Sequence, residues 1–481
     1  MAAIEAVKPG IFTRVSFGIG GAADGIKNNG FDYALLFFYS NIMGVDAGLV
    51  GLALLIALVI DAVSDPVVGY WSDNARTRMG RRHPFIYAAL IPTAMVYFLT
   101  WNPPAGLTGN DLFPWLVATT IGVRIAFTFY DVPSSALAAE LTQDYDERTS
   151  LMSLRYFFGW FGGLTIQILL FRYLLVPTED IPVGVFNIGG WNTYGTIAAV
   201  CIFICVLICA LGTHRYIPHL KAAPPPRTLT IGRIFAEIFE TVSNPSFRAL
   251  FLATLCGLVA TGISATLNQY INTIFWEFDN RQIANLTMAV YASAVLALII
   301  APIIGKTVGK KRGAITIGAL AFSIAPLPVI LRQFGLLPPN GSDELFLIII
   351  SITVFDLALI IATQMLMASM VADIVEDSEL QTGRRSEGIF FAGISFIRKL
   401  SQGVGVITAS MVLAVSGLSR GGGIEATTEE SVRALGWGYA LSLLTAWTLM
   451  LICVSFYRIS RESHADNLEK LKERQALQDA P

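Results

Sequence analysis

Stretches of about twenty or more predominantly apolar residues recur along almost the whole chain, and no other feature restricts its fold so tightly. A helix of that length crosses the hydrocarbon core of a bilayer, whereas a water-facing helix must turn a polar side outward. The windows, separated by Pro, Gly and charge, fall at approximately 17–43, 47–71, 84–102, 112–139, 150–175, 190–212, 246–276, 283–304, 313–332, 344–374, 386–416 and 433–457. They predict an all-α integral membrane protein with twelve transmembrane helices. Composition agrees: 54% of the 481 residues are hydrophobic and 14% are charged, too few charges to coat a soluble domain. A net charge of -2 argues against a nucleic-acid partner and leaves the lipid bilayer as the expected surroundings.

The windows divide six and six. Between them lies a different kind of segment, with Pro224-Pro225-Pro226 followed by an amphipathic stretch from Ile231 to Val242. The expected organisation is a first six-helix bundle over 1–212, a linker over 213–246, a second bundle over 247–458 and a charged tail over 459–481. Arg76, Arg78, Arg81 and Arg82 follow window 2, and Lys306, Lys310, Lys311 and Arg312 follow window 8. Such basic loops stay on the cytoplasmic side, which predicts a multi-pass protein of the plasma (cell inner) membrane with both termini and the linker in the cytoplasm. The two loops also match each other. Asp65-Pro66-Val67-Val68-Gly69 and Gly80-Arg81-Arg82 correspond to Ala301-Pro302-Ile303-Ile304-Gly305 and Gly309-Lys310-Lys311. This is the layout of the major facilitator superfamily, two homologous bundles with pseudo-twofold symmetry. The loop resembles that superfamily's gating motif, with Asp73, Arg81 and Arg82 in the gating positions.

Ionisable side chains at membrane depth are costly and point to function. Window 1 carries Asp24, Lys27, Asn28 and Asp32, with Asp24, Asn28 and Asp32 at helical spacing on one face. A Lys27–Asp24 pair stabilising a helix end is the plainer alternative. Window 2 carries Asp61, Ser64 and Asp65, two carboxylates one turn apart that need a bound cation, a shared proton or a basic partner from another helix. Oxygen ligands of this kind suit an alkali cation. Thr128 and Asp131 share a face of window 4, with Arg124 a further turn away, and Arg155 opens window 5. Asn268 and Asn272 in window 7 and Gln364 in window 10 are amides suited to polyhydroxyl ligands or to interhelical hydrogen bonds. Ser395 and Lys399 lie one turn apart in window 11, where the lysine needs an acidic neighbour.

The strings Asp61-Ala62-Val63-Ser64-Asp65-Pro66, Tyr130-Asp131-Val132-Pro133, Val371-Ala372-Asp373-Ile374-Val375-Glu376-Asp377 and Arg385-Ser386-Glu387-Gly388-Ile389 resemble the glycoside–pentoside–hexuronide:cation symporters, the family of the melibiose carrier. The resemblance covers about residues 15–455. It implies a coupling cation (Na⁺, Li⁺ or H⁺) held by Asp61 and Asp65 with Ser64, Thr128 and Asp131 nearby. It also implies solute contacts from Asp131 and Arg155, a bridging role for Lys399, and gating by Asp144 and Arg148. Ser64 stands where the melibiose carrier has Asn. Ser135 and Gln364 replace two aromatic platforms, and the span-1 pair is not reproduced in order.

The expected function is therefore symport of a glycoside, hexuronide or similar small polar solute by alternating access, carried out by a monomer without a cofactor or any metal beyond the coupling ion. A same-fold carrier of a lysolipid or other amphipath is the alternative left open by the missing aromatics. An enzyme is not expected, because His83, His214, His219 and His464 all read as loop or tail residues. Cys201, Cys205 and Cys209 share a helical face without a His or carboxylate, so they read as small apolar residues.

Overall fold

The computed structural model describes residues 9–142, 145–179, 181–219, 245–382, 401, 403–418 and 427–457, and every regular element among them is helical. In chain order these are α1 (Ile11–Asn29), α2 (Ala47–Asn74), α3 (His83–Trp101), α4 (Phe113–Leu141), α5 (Tyr145–Leu169) and α6 (Ile188–His214). Then follow α7 (Pro245–Tyr270), α8 (Asn280–Thr307), α9 (Lys310–Ile324), α10 (Asp343–Thr382), α11 (Gly403–Val415) and α12 (Glu429–Ser455). Ten helices among the described residues are long and apolar enough to cross a membrane. The charge-bearing α1 and the shorter α11 complete the twelve, and the protein is an integral, multi-pass membrane protein of the major facilitator fold.

Local chemistry sets the ends. The Asp46 side chain caps α2 by accepting from the Gly48 amide at 2.8 Å. Asp279 and Gln282 form a reciprocal capping box at the start of α8, with distances of 2.7 and 3.0 Å. The ninth window is not one helix: Pro326 opens a second short helix, Leu327–Gln333, where the sequence reading ran unbroken. Helix α1 continues through two π turns, Gly30–Ala34 and Phe38–Ile42. The first of these carries Asp32.

Packing follows small residues. Helix α1 lies against α5 and α6, α2 against α4, and α3 against α4 and α6, while α7 meets α12 and α10 meets α8 and α9. A Cβ added at Gly25 would run into the Gly159 carbonyl, one at Gly21 into the Arg155 carbonyl, and one at Gly162 would stand 2.8 Å from Ala22 Cβ. Backbone-to-backbone contact of this kind is how membrane helices gain dispersion energy without a hydrophobic drive between them. Outward, large apolar side chains stay exposed on every side: Val63 on α2, Trp160 on α5, Leu298 on α8 and Met411 on α11. Lipid suits that surface.

Contacts between the first six helices and the last six gather at the end opposite the two basic loops. There Ser40 and Tyr270 hydroxyls meet at 2.6 Å, Phe37 packs edge-on against Tyr270, and the Asn280 amide donates to the Leu175 carbonyl. Ser410 on α11 fills the space beside Gly51 on α2. At the basic-loop end, no hydrogen bond or ion pair joins the two sets among the described residues. The histidine expectation also needs correction: His83 is fully buried, with Nε2 3.0 Å from Thr213 Oγ1, because the α2–α3 loop turns α3 inward at its first residue.

Candidate cation and solute site

The α2 turn that carries Asp61, Ser64 and Asp65 faces α4, and Thr128 sits between the two carboxylates. Its hydroxyl is 3.1 Å from Asp61 Oδ1, 3.1 Å from Asp65 Oδ1 and 2.9 Å from the Arg124 carbonyl. Having one proton, it can donate to only one of the three at a time. Ser64 Oγ lies 3.3 Å from Thr128 Oγ1 and donates to the Asp61 carbonyl at 3.1 Å. Four oxygen-bearing side chains thus converge at the buried depth of two membrane helices. This is a hard-ligand set that suits an alkali cation or a proton better than a transition metal. Helix α2 runs unbroken through Pro66, which lacks the N–H that would otherwise bond the Ala62 carbonyl.

The same carboxylate has a second neighbour. Arg124, one turn before Thr128 on α4, places Nη1 3.6 Å from Asp61 Oδ2. The basic partner considered for the α2 carboxylates therefore comes from within the cation site's own helix pair. Sequence reasoning noted Arg124 without assigning it to the site. Its spacing of four from Thr128 was the available signal, since both side chains then share a helix face.

A second polar group lies on α1, α4 and α5. Arg155 binds Asp131 at 2.6 Å through Nη2 and Ser134 Oγ at 3.0 Å through Nη1. On α1, Lys27 pairs with Asp24 at 3.2 Å and stands 4.1 Å over the Phe127 ring, while Asn28 donates to Asp24 at 2.9 Å. Lys27 lies in the last turn of α1, just before the first π turn. Burial is unequal in both pairs: the Lys27 and Arg155 side chains are each 8% exposed, Asp24 is 39% and Asp131 is 42% exposed. The bases are sealed behind the carboxylates, and acceptor oxygens face the open side.

Other expected site residues fall elsewhere. Asn272 is buried in the π turn after α7, Asn268 is half-buried one turn before it, and Gln364 is exposed on α10; none has a hydrogen bond to the acidic group among the described residues. Ser395, Lys399 and Asp144 lie outside the described residues, as do the side chains of Asp73 and Arg148. Arg81 and Arg82 both reach Glu140 Oε1 at the end of α4, at 2.7 and 2.9 Å, and Arg82 also donates to Ser72 Oγ at 2.6 Å. Glu140 was not read as part of this loop cluster, since its place on α4 is distant in sequence.

A symporter of Synechocystis sp. is 24% identical, with 98% of each chain covered. The isoprimeverose transporter of Lactiplantibacillus pentosus is 24% identical over 92% of this chain and 88% of its own. The glucuronide carrier protein homolog of Escherichia coli is 23% identical over 97% and 96%. Among solved structures, an inward-facing bacterial homolog of the human lysosomal transporter Spinster superposes with a TM-score of 0.64 at 14% identity, covering 95% of this chain and 97% of that one. The sequence profile of the MFS/sugar transport proteins matches residues 16–461, and the chain belongs to that family of membrane transporters.

Proposed function

We propose that the protein is a cation-coupled symporter of a neutral glycoside, with the cation at Asp61, Ser64, Asp65 and Thr128 and the solute at Asp24, Asn28, Asp131 and Arg155. The observation that carries the solute class is the unequal burial of the Asp24–Lys27 and Asp131–Arg155 pairs. Exposed carboxylates accept from sugar hydroxyls and repel an anionic cargo, while the buried bases fix their orientation. Named cargos of the relatives, isoprimeverose and glucuronide, are polar, and they lend no support to a lysolipid or other amphipath. Asn268, Asn272, Gln364, Ser395 and Lys399 are assigned to the solute side as well.

In this reading the ion is Na⁺, Li⁺ or H⁺, and the protein works as a monomer in the cell inner membrane. Its basic loops, termini and linker face the cytoplasm, which makes the described conformation inward-facing. Asp73, Arg81, Arg82, Asp144 and Arg148 act at the cytoplasmic gate, and Glu140 anchors the two arginines in this state. Cation and solute reinforce each other's binding, as linkage requires. Thermal unfolding of the purified protein with a methyl glycoside panel and with methyl glucuronide, each with and without Na⁺ or Li⁺ and at several pH values, tests this. A neutral glycoside at about a hundred times its Kd adds roughly 2.7 kcal/mol of stability. Stabilisation that grows with the cation and vanishes in Asp131→Asn supports the assignment. Stabilisation by the glucuronide alone would overturn the neutral-cargo reading.

A further inference from the structure

We infer that Arg124 is a built-in counter-cation of Asp61, and that Na⁺ or Li⁺ must displace its guanidinium to use that carboxylate. The inference rests on the cation site proposed above and names the residue that sets its affinity. Thr128 and Arg124 approach opposite oxygens of one carboxylate, Oδ1 and Oδ2, so Asp61 is engaged on both sides. Arg124 is 5% exposed, and a guanidinium at that depth needs an acidic partner. Yet the pairing is loose: the ion-pair distance is 3.6 Å, and Nε has no hydrogen-bond partner. Five donors are available in a rigid fork, and the observed contact leaves most of them without the bidentate geometry that Arg and carboxylate prefer.

A place to go is at hand. The guanidinium lies 5.4 Å from the centre of the Phe31 ring, whose face can hold its charge. Arg124 thus stands between Asp61 on α2 and Phe31 in the π turn that follows α1. An alkali ion entering beside Asp61, Ser64, Asp65 and Thr128 would meet a positive charge already seated, which lowers its affinity. Displaced Arg124 would keep its charge against the face of the Phe31 ring.

The test is Na⁺ and Li⁺ titration, at fixed pH, of glycoside uptake into proteoliposomes by wild type, Arg124→Gln, Arg124→Lys and Asp65→Asn. With the guanidinium gone, R124Q reaches half-maximal stimulation at a cation concentration at least tenfold lower, equivalent to about 1.4 kcal/mol. R124K, which keeps a charge, stays within threefold of wild type. Should wild type show no stimulation, R124Q gains it, and its melting temperature rises with Na⁺ or Li⁺ more than that of wild type. If R124Q does not fold, Arg124→Met keeps an unbranched apolar stem and carries the same expectation. An unchanged half-saturating concentration in R124Q or R124M, or neutral variants still unresponsive to both ions, overturns the inference. Undiminished stimulation in D65N would instead show that the cation site itself is misplaced.

Discussion

At the scale of single residues, the site is organised by pairs in which one charge is sealed and the other is open. Arg155 holds Asp131 and Ser134 with separate nitrogens of one planar group, a geometry that lysine cannot reproduce. Arg155→Lys is expected to raise the glycoside Kd about tenfold or more, measured by titration calorimetry, while cation-induced stabilisation persists. Asp131 and Arg155 were legible because a short motif and a helix-start arginine carry them. Arg124 was visible as a charge but not as Asp61's partner, since pairing depends on how α4 is rotated against α2. That rotation is set by packing around Thr128, which no periodicity within α4 alone reveals. Asp356 shows the same limit: it lies in the tenth apolar window, yet only the fold shows it 8% exposed with Oδ1 lacking a hydrogen bond.

At the scale of elements, α1 and α5 approach so closely that backbone carbonyls occupy the space where side chains would begin. This contact holds Arg155 in register with Asp131, because the Arg155 carbonyl itself lies against Gly21. Gly25→Ala forces the helices apart and is expected to cost about 1–3 kcal/mol, with more possible where backbone cannot yield. Thermal unfolding should show that loss, and glycoside affinity should fall with it. Gly106→Ala, with nothing within 4 Å of the added Cβ, is the control and should stay within about 0.5 kcal/mol. Helix number and approximate limits were legible from hydropathy, since bilayer thickness dictates length. The π turns that end α1, α5 and α7 were not, because a single inserted residue leaves apolar composition unchanged.

At the scale of the whole molecule, the repeated basic loops foretold two related sets of helices, and the major facilitator fold follows that plan. The end at which the sets meet was not legible: opening and closing are states of one sequence, and hydropathy is the same in both. Contacts such as Ser40–Tyr270 and Asn280–Leu175 close one end, so transport requires them to part while contacts form at the other. In the proposed mechanism, the carboxylate pair Asp61 and Asp65, bridged by Thr128, converts this motion into uphill transport. The most direct measurement is accumulation of a radiolabelled neutral glycoside in proteoliposomes under an imposed inward gradient of Na⁺, Li⁺ or H⁺, comparing wild type with Asp65→Asn. Wild type should concentrate the glycoside with one of these gradients, and D65N should equilibrate or exchange it without concentrating it. Accumulation by D65N to the wild-type level would contradict the account.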